Sequence, residues 1–557
     1  MGEGGAPQPP SRRPAMGVNP HMHDNALSRR DLMKYGVLAS AALALPFERV
    51  VRAKTASDRI AISKFPKPFT VPFAVPPEAV PVKRSSTTDY YTVTMRSAMT
   101  EILPGMKTET WSYDGSFGGP TIRATRGRPA VVRHVNALPR VHPRLGYESW
   151  TSVHLHGSAS LPEYDGYASD VTRTGEYKDY HYPNSQDART LWYHDHGVHH
   201  TAENAYMGLA AMYTMHDDLE QSLPIPHGRY DVPLIVRDAM FDRDGQLLYD
   251  DGGHSGIFGD VILVNGRPWP VMKVERRKYR FRILNGSISR GFRFQLSTGD
   301  PFVFIGTDAG LMPQPRSVTS YRHGIAERYE VIIDFAKYKA GQRVVLKNLG
   351  VPNSEDFDTT GDVMAFDVVG DATDLSGNAV PDVLNPNAPA MDLTAAMARK
   401  TRKFEFIRKD GIWTVNGKTW ADVVASDYEY VWADPGLGDV EIWEFENKSG
   451  GWWHPVHVHL VDFRILDRNG KPPSPWELGG KDTVYVGENE TVRMVVKFGP
   501  NTGRYMIHCH NLVHEDHDMM AQFRVGPPAD GHHPVYAAPA SSGPAPTALG
   551  DDDDSIG

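Results

Sequence analysis

Along most of the chain, apolar residues come in short runs, rich in Val, Ile and aromatics, set between Gly, Pro, Asn and Asp. Val232-Pro233-Leu234-Ile235-Val236 and Tyr329-Glu330-Val331-Ile332-Ile333-Asp334-Phe335 are examples. Runs of this length with turn residues at both ends read as strands, and few amphipathic stretches are long enough for helices. The pattern predicts an all-β protein made of sandwiches.

Length multiplies that unit. The chain has 557 residues, room for roughly three domains of about 150 residues once the two ends are set aside. At the N-terminal end, Ser28-Arg29-Arg30-Asp31-Leu32-Met33-Lys34 leads into an Ala-rich apolar run over residues 35–45. Paired arginines before a modest apolar segment read as a twin-arginine export signal. The run is shorter than the ~20 residues a membrane span needs. Export puts the protein outside the cytoplasm, in the periplasm, at the cell surface or secreted. At the other end a Pro-, Ala- and Gly-rich stretch closes on Asp551 to Asp554, a composition that predicts a solvated, disordered tail. With 40% apolar and 23% charged residues and a net charge of -9, the chain is globular and mildly acidic. No basic stripe suggests nucleic-acid binding.

Chemistry enters with the one cysteine, Cys509. It allows no internal disulfide, so stability rests on packing. It stands in His508-Cys509-His510, followed by His514 and Met519. One thiolate, two imidazoles and a distant thioether are the ligands of a blue-copper site. Three further alternating patterns occur: His154-Leu155-His156, His194-Asp195-His196 and His454-Pro455-Val456-His457-Val458-His459. On a strand, residues i and i+2 share a face, so each pair presents two imidazoles together. In His508-Cys509-His510 the same alternation sends the thiol to one face and both rings to the other. One strand can then touch two metal centres.

In this order and with these flanks, the four segments resemble the multicopper oxidases. The stretch HCHNLVHEDHDMM from His508 is most similar to the bilirubin oxidase and bacterial laccase branch. Gly118-Gly119-Pro120-Thr121-Ile122 and His459-Leu460-Val461-Asp462-Phe463 extend the likeness over nearly the whole chain after the leader. The resemblance implies three consecutive cupredoxin-like Greek-key β-sandwich domains. The expected division is a leader and linker over residues 1–60, domain 1 over 61–225 and a copper-free spacer domain over 226–372. A linker over 373–400, domain 3 over 401–527 and the tail over 528–557 follow. A loose repeat is visible in that light. Gly119-Pro120-Thr121-Ile122, Val264-Asn265-Gly266 and Val415-Asn416-Gly417 each precede an alternating strand, at Val131 to Asn136, Tyr279 to Asn285 and Val440 to Phe445.

Four copper ions are implied. His454, Cys509 and His514, with Met519 as weak axial ligand, would hold a type 1 copper. His154 and His457 would hold the type 2 copper, and His156, His194, His196, His459, His508 and His510 the type 3 pair. Domains 1 and 3 would supply equal shares of the trinuclear cluster. Asp165 and Glu515 resemble the family's proton-relay acids; the alternative is that they only orient ligand histidines. Trp452 and Asn511 stand where the family shapes the substrate side, although a Trp beside a metal also serves simply to exclude water. Met520 reads as core, Asp195 and Asp462 as structural. His199, His200 and His517 fall outside the family spacing and read as supporting or solvent-facing; His21, His23, His532 and His533 lie in the two ends.

The activity implied is one-electron oxidation of phenolic, aromatic amine or bilirubin-type donors near an exposed edge of His514, coupled to four-electron reduction of dioxygen to water. A small aromatic or tetrapyrrole donor and dioxygen are the implied partners, and a monomer the implied state. A metallo-oxidase for cuprous, ferrous or manganous ions is the alternative; the 20 methionines form no dense repeat after the third ligand segment. A non-catalytic cupredoxin-fold scaffold is a third reading, set against a complete ligand set. Loops over 353–362 and 469–480 are expected to govern access to the type 1 site.

Overall fold

The computed structural model describes residues 58–527, 534–535 and 540–542. The twin-arginine segment and His21, His23, His532 and His533 lie outside them. Three β-sandwich domains of cupredoxin type follow one another, each opening with the same four-strand scheme. In the first, Asp89–Thr100 forms a hairpin with Thr108–Tyr113 and runs parallel to Ala130–Asn136, which pairs antiparallel with Glu176–Tyr182. In the second, the same four roles fall to Asp231–Ala239, Val261–Val264, Lys278–Asn285 and Arg328–Asp334. In the third they fall to Lys400–Lys409, Ile412–Val415, Val440–Asn447 and Thr491–Lys497.

The hairpin turns explain the visible repeat and adjust it. Asn265-Gly266 and Asn416-Gly417 are two-residue turns with positive φ at both positions. This is the type I′ geometry that suits the strand twist and favours Asn-Gly and Asp-Gly. Their counterpart in the first domain is Asp114-Gly115, at φ 53 and 79, between the bridged pair Tyr113 and Ser116. The Gly119-Pro120-Thr121-Ile122 segment instead feeds Ile122–Thr125, a strand of the other sheet.

That second sheet differs between domains. In the first domain it carries Val153–His156 beside Arg189–Asp195; in the third, His454–Val458 lies beside Gly503–Cys509. These strands are buried along their whole length except at Gly503 and Arg504. Their sequences are largely apolar and carry His, Asp and Cys at buried positions.

Two stretches depart from the expected division. Early residues placed with domain 1 hydrogen-bond to the middle domain: Ile60 N–H to the Phe241 carbonyl, Phe69 to Trp269 and Phe73 to Val271. In the tail, Ser541–Ser542 pairs with Glu176 and Tyr177 at the edge of the first domain's sheet, and Val535 and Ala540 are buried. Those few residues are therefore packed, against the expectation of a wholly solvated tail. Between Asp371 and Lys400 the described chain has only a 3-10 turn, Ala395–Met397, and it leans on the middle domain through Leu384 and Asn385. No helix among the described residues is long and apolar enough to cross a membrane.

Candidate metal centres

Strand register brings the histidines together. His154 lies directly across from His194, and His457 from His508. The first and third domains face each other, so that the His154 and His457 Nε2 atoms come within 3.3 Å. His508 Nε2 lies 3.2 Å from His196 Nε2 and 3.1 Å from His459 Nε2. All eight rings are buried.

Acceptors around the cavity fix which nitrogen looks inward for most of the rings. His154 donates from Nδ1 to the Asp165 carbonyl at 2.5 Å, and His457 to the Asp482 carbonyl at 2.9 Å. His194 donates to the Asp195 carbonyl at 2.8 Å. His459 donates to Asp165 Oδ2 at 2.7 Å. His508 Nδ1 is 2.8 Å from Glu515 Oε2, and His196 Nδ1 is 3.3 Å from Glu515 Oε1. His156 is held the other way round, with Nε2 3.1 Å from Asp482 Oδ1, which turns Nδ1 inward. His510 has neither nitrogen bonded, and His194 Nε2 and His156 Nδ1 also have no partner.

This arrangement makes sense only around cations. Burial, the largest cause, holds His154, His156, His194, His457, His459 and His510 well below the usual imidazole range. A neutral ring with its proton on Nδ1 presents a bare lone pair at Nε2. Several such lone pairs aimed at one another at 3.1–3.3 Å repel unless a metal lies between them. Orientation through the second nitrogen, as at His154, His156, His194, His457 and His459, is the support that metal-binding histidines receive.

The second centre lies wholly in the third domain. Cys509 Sγ is 3.2 Å from His454 Nδ1 and 3.7 Å from His514 Nδ1, and the two Nδ1 atoms are 3.3 Å apart. His454 Nε2 is 2.7 Å from Ser449 Oγ, and His514 Nε2–H donates to the Ser255 carbonyl at 3.1 Å. Met519 is fully buried in the same core cluster as Cys509, and the Cys509 N–H donates to its carbonyl. Burial pushes the thiol well above its usual range, as expected of a sulfur whose ionised form needs a metal. Cys509, between His508 and His510, joins the two centres through adjacent residues of one strand.

Asp165 and Glu515 both reach the eight-ring cavity. Gly166 allows the Asp165 turn to press against the His154 strand: a Cβ there would lie 2.5 Å from the Val153 carbonyl oxygen. Burial pushes Asp165 well above the usual carboxylate range, and its Oδ1 has no hydrogen-bond partner. Burial also acts to raise Glu515, but His508 and His196 outweigh it and hold it below its ordinary value. Asn511 lies beside His514, with Nδ2 3.0 Å from His514 Nε2 and Oδ1 accepting from Ser289. Trp452 meets the His514 ring edge-on at 5.6 Å.

The His514 edge is not exposed. Trp413 stacks on the ring with centroids 3.8 Å apart, and the middle domain's loop over residues 250–257 supplies the Ser255 cap. This loop caps the ring, while Asn353 of one expected access loop shares Glu488 with Gly451, next to Trp452. Sequence reasoning missed Trp413, which alternation alone cannot tell from a core residue. It also missed Asp482, which steadies His156 while chelated by Arg328. A charged pair, Lys481-Asp482, entering a buried strand was the available signal. As expected, Met520 is core and Asp462 pairs with Arg189. Asp195 accepts from the Ser152 and Gly197 N–H groups and from Asn204. His199 reaches the Asp516 carbonyl, and His517 lies at the partly exposed surface.

Comparison with known proteins agrees with this geometry. Two multicopper oxidase family models match, over residues 94–220 and 385–529. A bilirubin oxidase from Albifimbria verrucaria is 40% identical over 481 residues, 82% of this chain and 81% of that protein. A laccase from Bacillus subtilis (strain 168) is 33% identical over 515 residues, 83% of this chain and 99% of its own. The solved multi-copper oxidase from Pediococcus acidilactici superimposes with a TM-score of 0.73 at 31% identity, covering 84% of this chain and 93% of that one. The chain is a member of the multicopper oxidase family and an oxidoreductase.

Proposed function

We propose that the protein binds four coppers and oxidises phenolic, aromatic amine or bilirubin-type donors, reducing dioxygen by four electrons to water. His454, Cys509, His514 and Met519 would hold a type 1 copper. His154 and His457 would hold a type 2 copper, and His156, His194, His196, His459, His508 and His510 a type 3 pair. When bound, copper supplies one-electron acceptance at the thiolate and four-electron chemistry at the imidazoles.

The observation that carries this reading is the run His508-Cys509-His510, whose alternate side chains enter two separate ligand sets. The chain's own groups then divide the work. Trp413 and the Ser255 cap keep water from His514, while Trp452, partly exposed, is the surface a donor meets. Arg408 lies over both tryptophans, its guanidinium 4.8 and 5.9 Å from their ring centres, and suits donors carrying phenolate or carboxylate groups. Asp165 accepts from His459 through Oδ2 and can hold a proton at Oδ1. Glu515 lies beside His508 and His196, its carboxylate oxygens 2.8 and 3.3 Å from their Nδ1 atoms. Two buried acids with different environments beside one cavity suit the supply of protons.

Each chain supplies both halves of the cluster and is complete as a monomer. The twin-arginine leader would deliver it outside the cytoplasm. Oxygen uptake by copper-loaded protein with bilirubin and with dimethoxyphenol tests the donor class. Uptake with either supports it; uptake only with ferrous, cuprous or manganous ions overturns it.

A further inference from the structure

A third group of ligating side chains sits at the surface beside His514. Asp251 Oδ2 is 3.2 Å from His254 Nδ1 and 3.4 Å from His517 Nε2. Those two nitrogens face each other directly, with ring centroids 3.5 Å apart at 60°. The three side chains come from two domains: Asp251 and His254 from the middle domain's loop, His517 from the turn after Leu512–Asp516.

The loop is shaped to hold this geometry. Asp251 Oδ1 accepts the Gly253 N–H at 3.1 Å, leaving Oδ2 for the histidines, and the Asp251 carbonyl accepts the Ser255 and Gly256 N–H groups. His254 adopts φ 67, a left-handed conformation uncommon for residues other than Gly, in which Asn, Asp and His are enriched. The His254 carbonyl accepts from Trp413 Nε1 at 2.9 Å. The site is 25–51% exposed by side chain, so it opens to solvent, unlike either buried centre.

We propose that Asp251, His254 and His517 form a separate binding site for a transition-metal dication at the rim of the type 1 centre. Two imidazole nitrogens and one carboxylate oxygen, all within 3.4 Å of one another, match the donors that suit zinc, copper, iron and nickel ions. A cation here would tie the loop to the turn carrying His517. Ser255, next in sequence to His254, caps His514. The site therefore couples metal occupancy to the cover over the type 1 ligand.

Zn2+ titrated by calorimetry into copper-loaded full-length protein tests this without relying on oxidase activity. Wild type is expected to bind one Zn2+ more per chain than His254→Ala/His517→Ala, and Asp251→Asn to weaken that site on the order of tenfold or more. The variants' blue absorption and circular dichroism report separately on the buried centres and on folding. Should the double variant fail to fold, the Asp251→Asn affinity decides alone. Equal zinc stoichiometry and affinity in wild type and folded double variant would overturn the proposal, as would an unchanged affinity in Asp251→Asn.

Discussion

The two buried centres are built in opposite ways. The cysteine centre takes its rings and thiol from one domain, within residues 454–514, and a backbone cap from the middle domain. The eight-imidazole cavity is split, with four rings from the first domain and four from the third meeting between them. The first is a local property of one sandwich; the second depends on domain docking. Fixed charges reinforce that docking. Arg189 of the first domain pairs with Asp462 of the third. Arg328 and Asp308 of the middle domain hold the Asp482 segment, which in turn steadies His156.

The sharpest way to separate the centres is Cys509→Ser. It should abolish blue absorption and donor oxidation, with metal analysis falling by one copper while the cluster coppers stay. Retention of the blue band would break the comparison. Next, His457→Ala should leave the blue band intact but stop oxygen consumption: donor bleaches the colour, and air no longer restores it.

Asp165→Asn should slow turnover by about 10–100-fold, the usual cost of losing support to a metal ligand, with the blue band unchanged. An altered pH profile would mark proton delivery, whereas lowered copper content alone would mark orientation of His459.

Trp413→Ala probes the local centre. It removes a fully buried indole at about 3–5 kcal/mol and uncovers His514. Melting temperature should fall, and the type 1 potential should shift because the surroundings of the ligands set it.

The smallest effect is pH dependence outside both centres. Burial holds His134 down to about 3 and His323 to about 4. The folded state keeps both neutral while unfolded imidazoles take protons near pH 6.5. Stability is therefore present above pH 6.5 and is lost as pH falls toward 4. Glu477, which burial would raise but Arg468 holds at about 2, adds a further loss below its ordinary 4.5. Melting curves across pH should show this slope, reduced in His134→Phe.

Much of this was legible in the sequence because strands have a period of two. Alternation alone placed His154 with His156 and Cys509 opposite its neighbours, and family spacing sorted the rings into sets. The repeat was half legible: Asn-Gly turns stood out, while Asp114-Gly115 hid behind a nearby Gly-Gly-Pro. What stayed hidden depends on contacts between distant segments. Nothing local ties the 250–257 loop to His514, 259 positions beyond Ser255 in the chain, or Trp413 to its stacking face. The early strap onto the middle domain combines backbone pairing with packing of Phe65, Phe69 and Phe73, and these apolar residues do not by themselves say which domain they cover.

The central claim is that one strand serves two copper centres. Anaerobic reduction of the copper-loaded protein by donor, followed by a pulse of dioxygen under absorption detection, tests it most directly. Bleaching and full return of the blue colour in wild type, with return lost in His457→Ala, is the predicted result. Return of the colour at the wild-type rate in His457→Ala would contradict it.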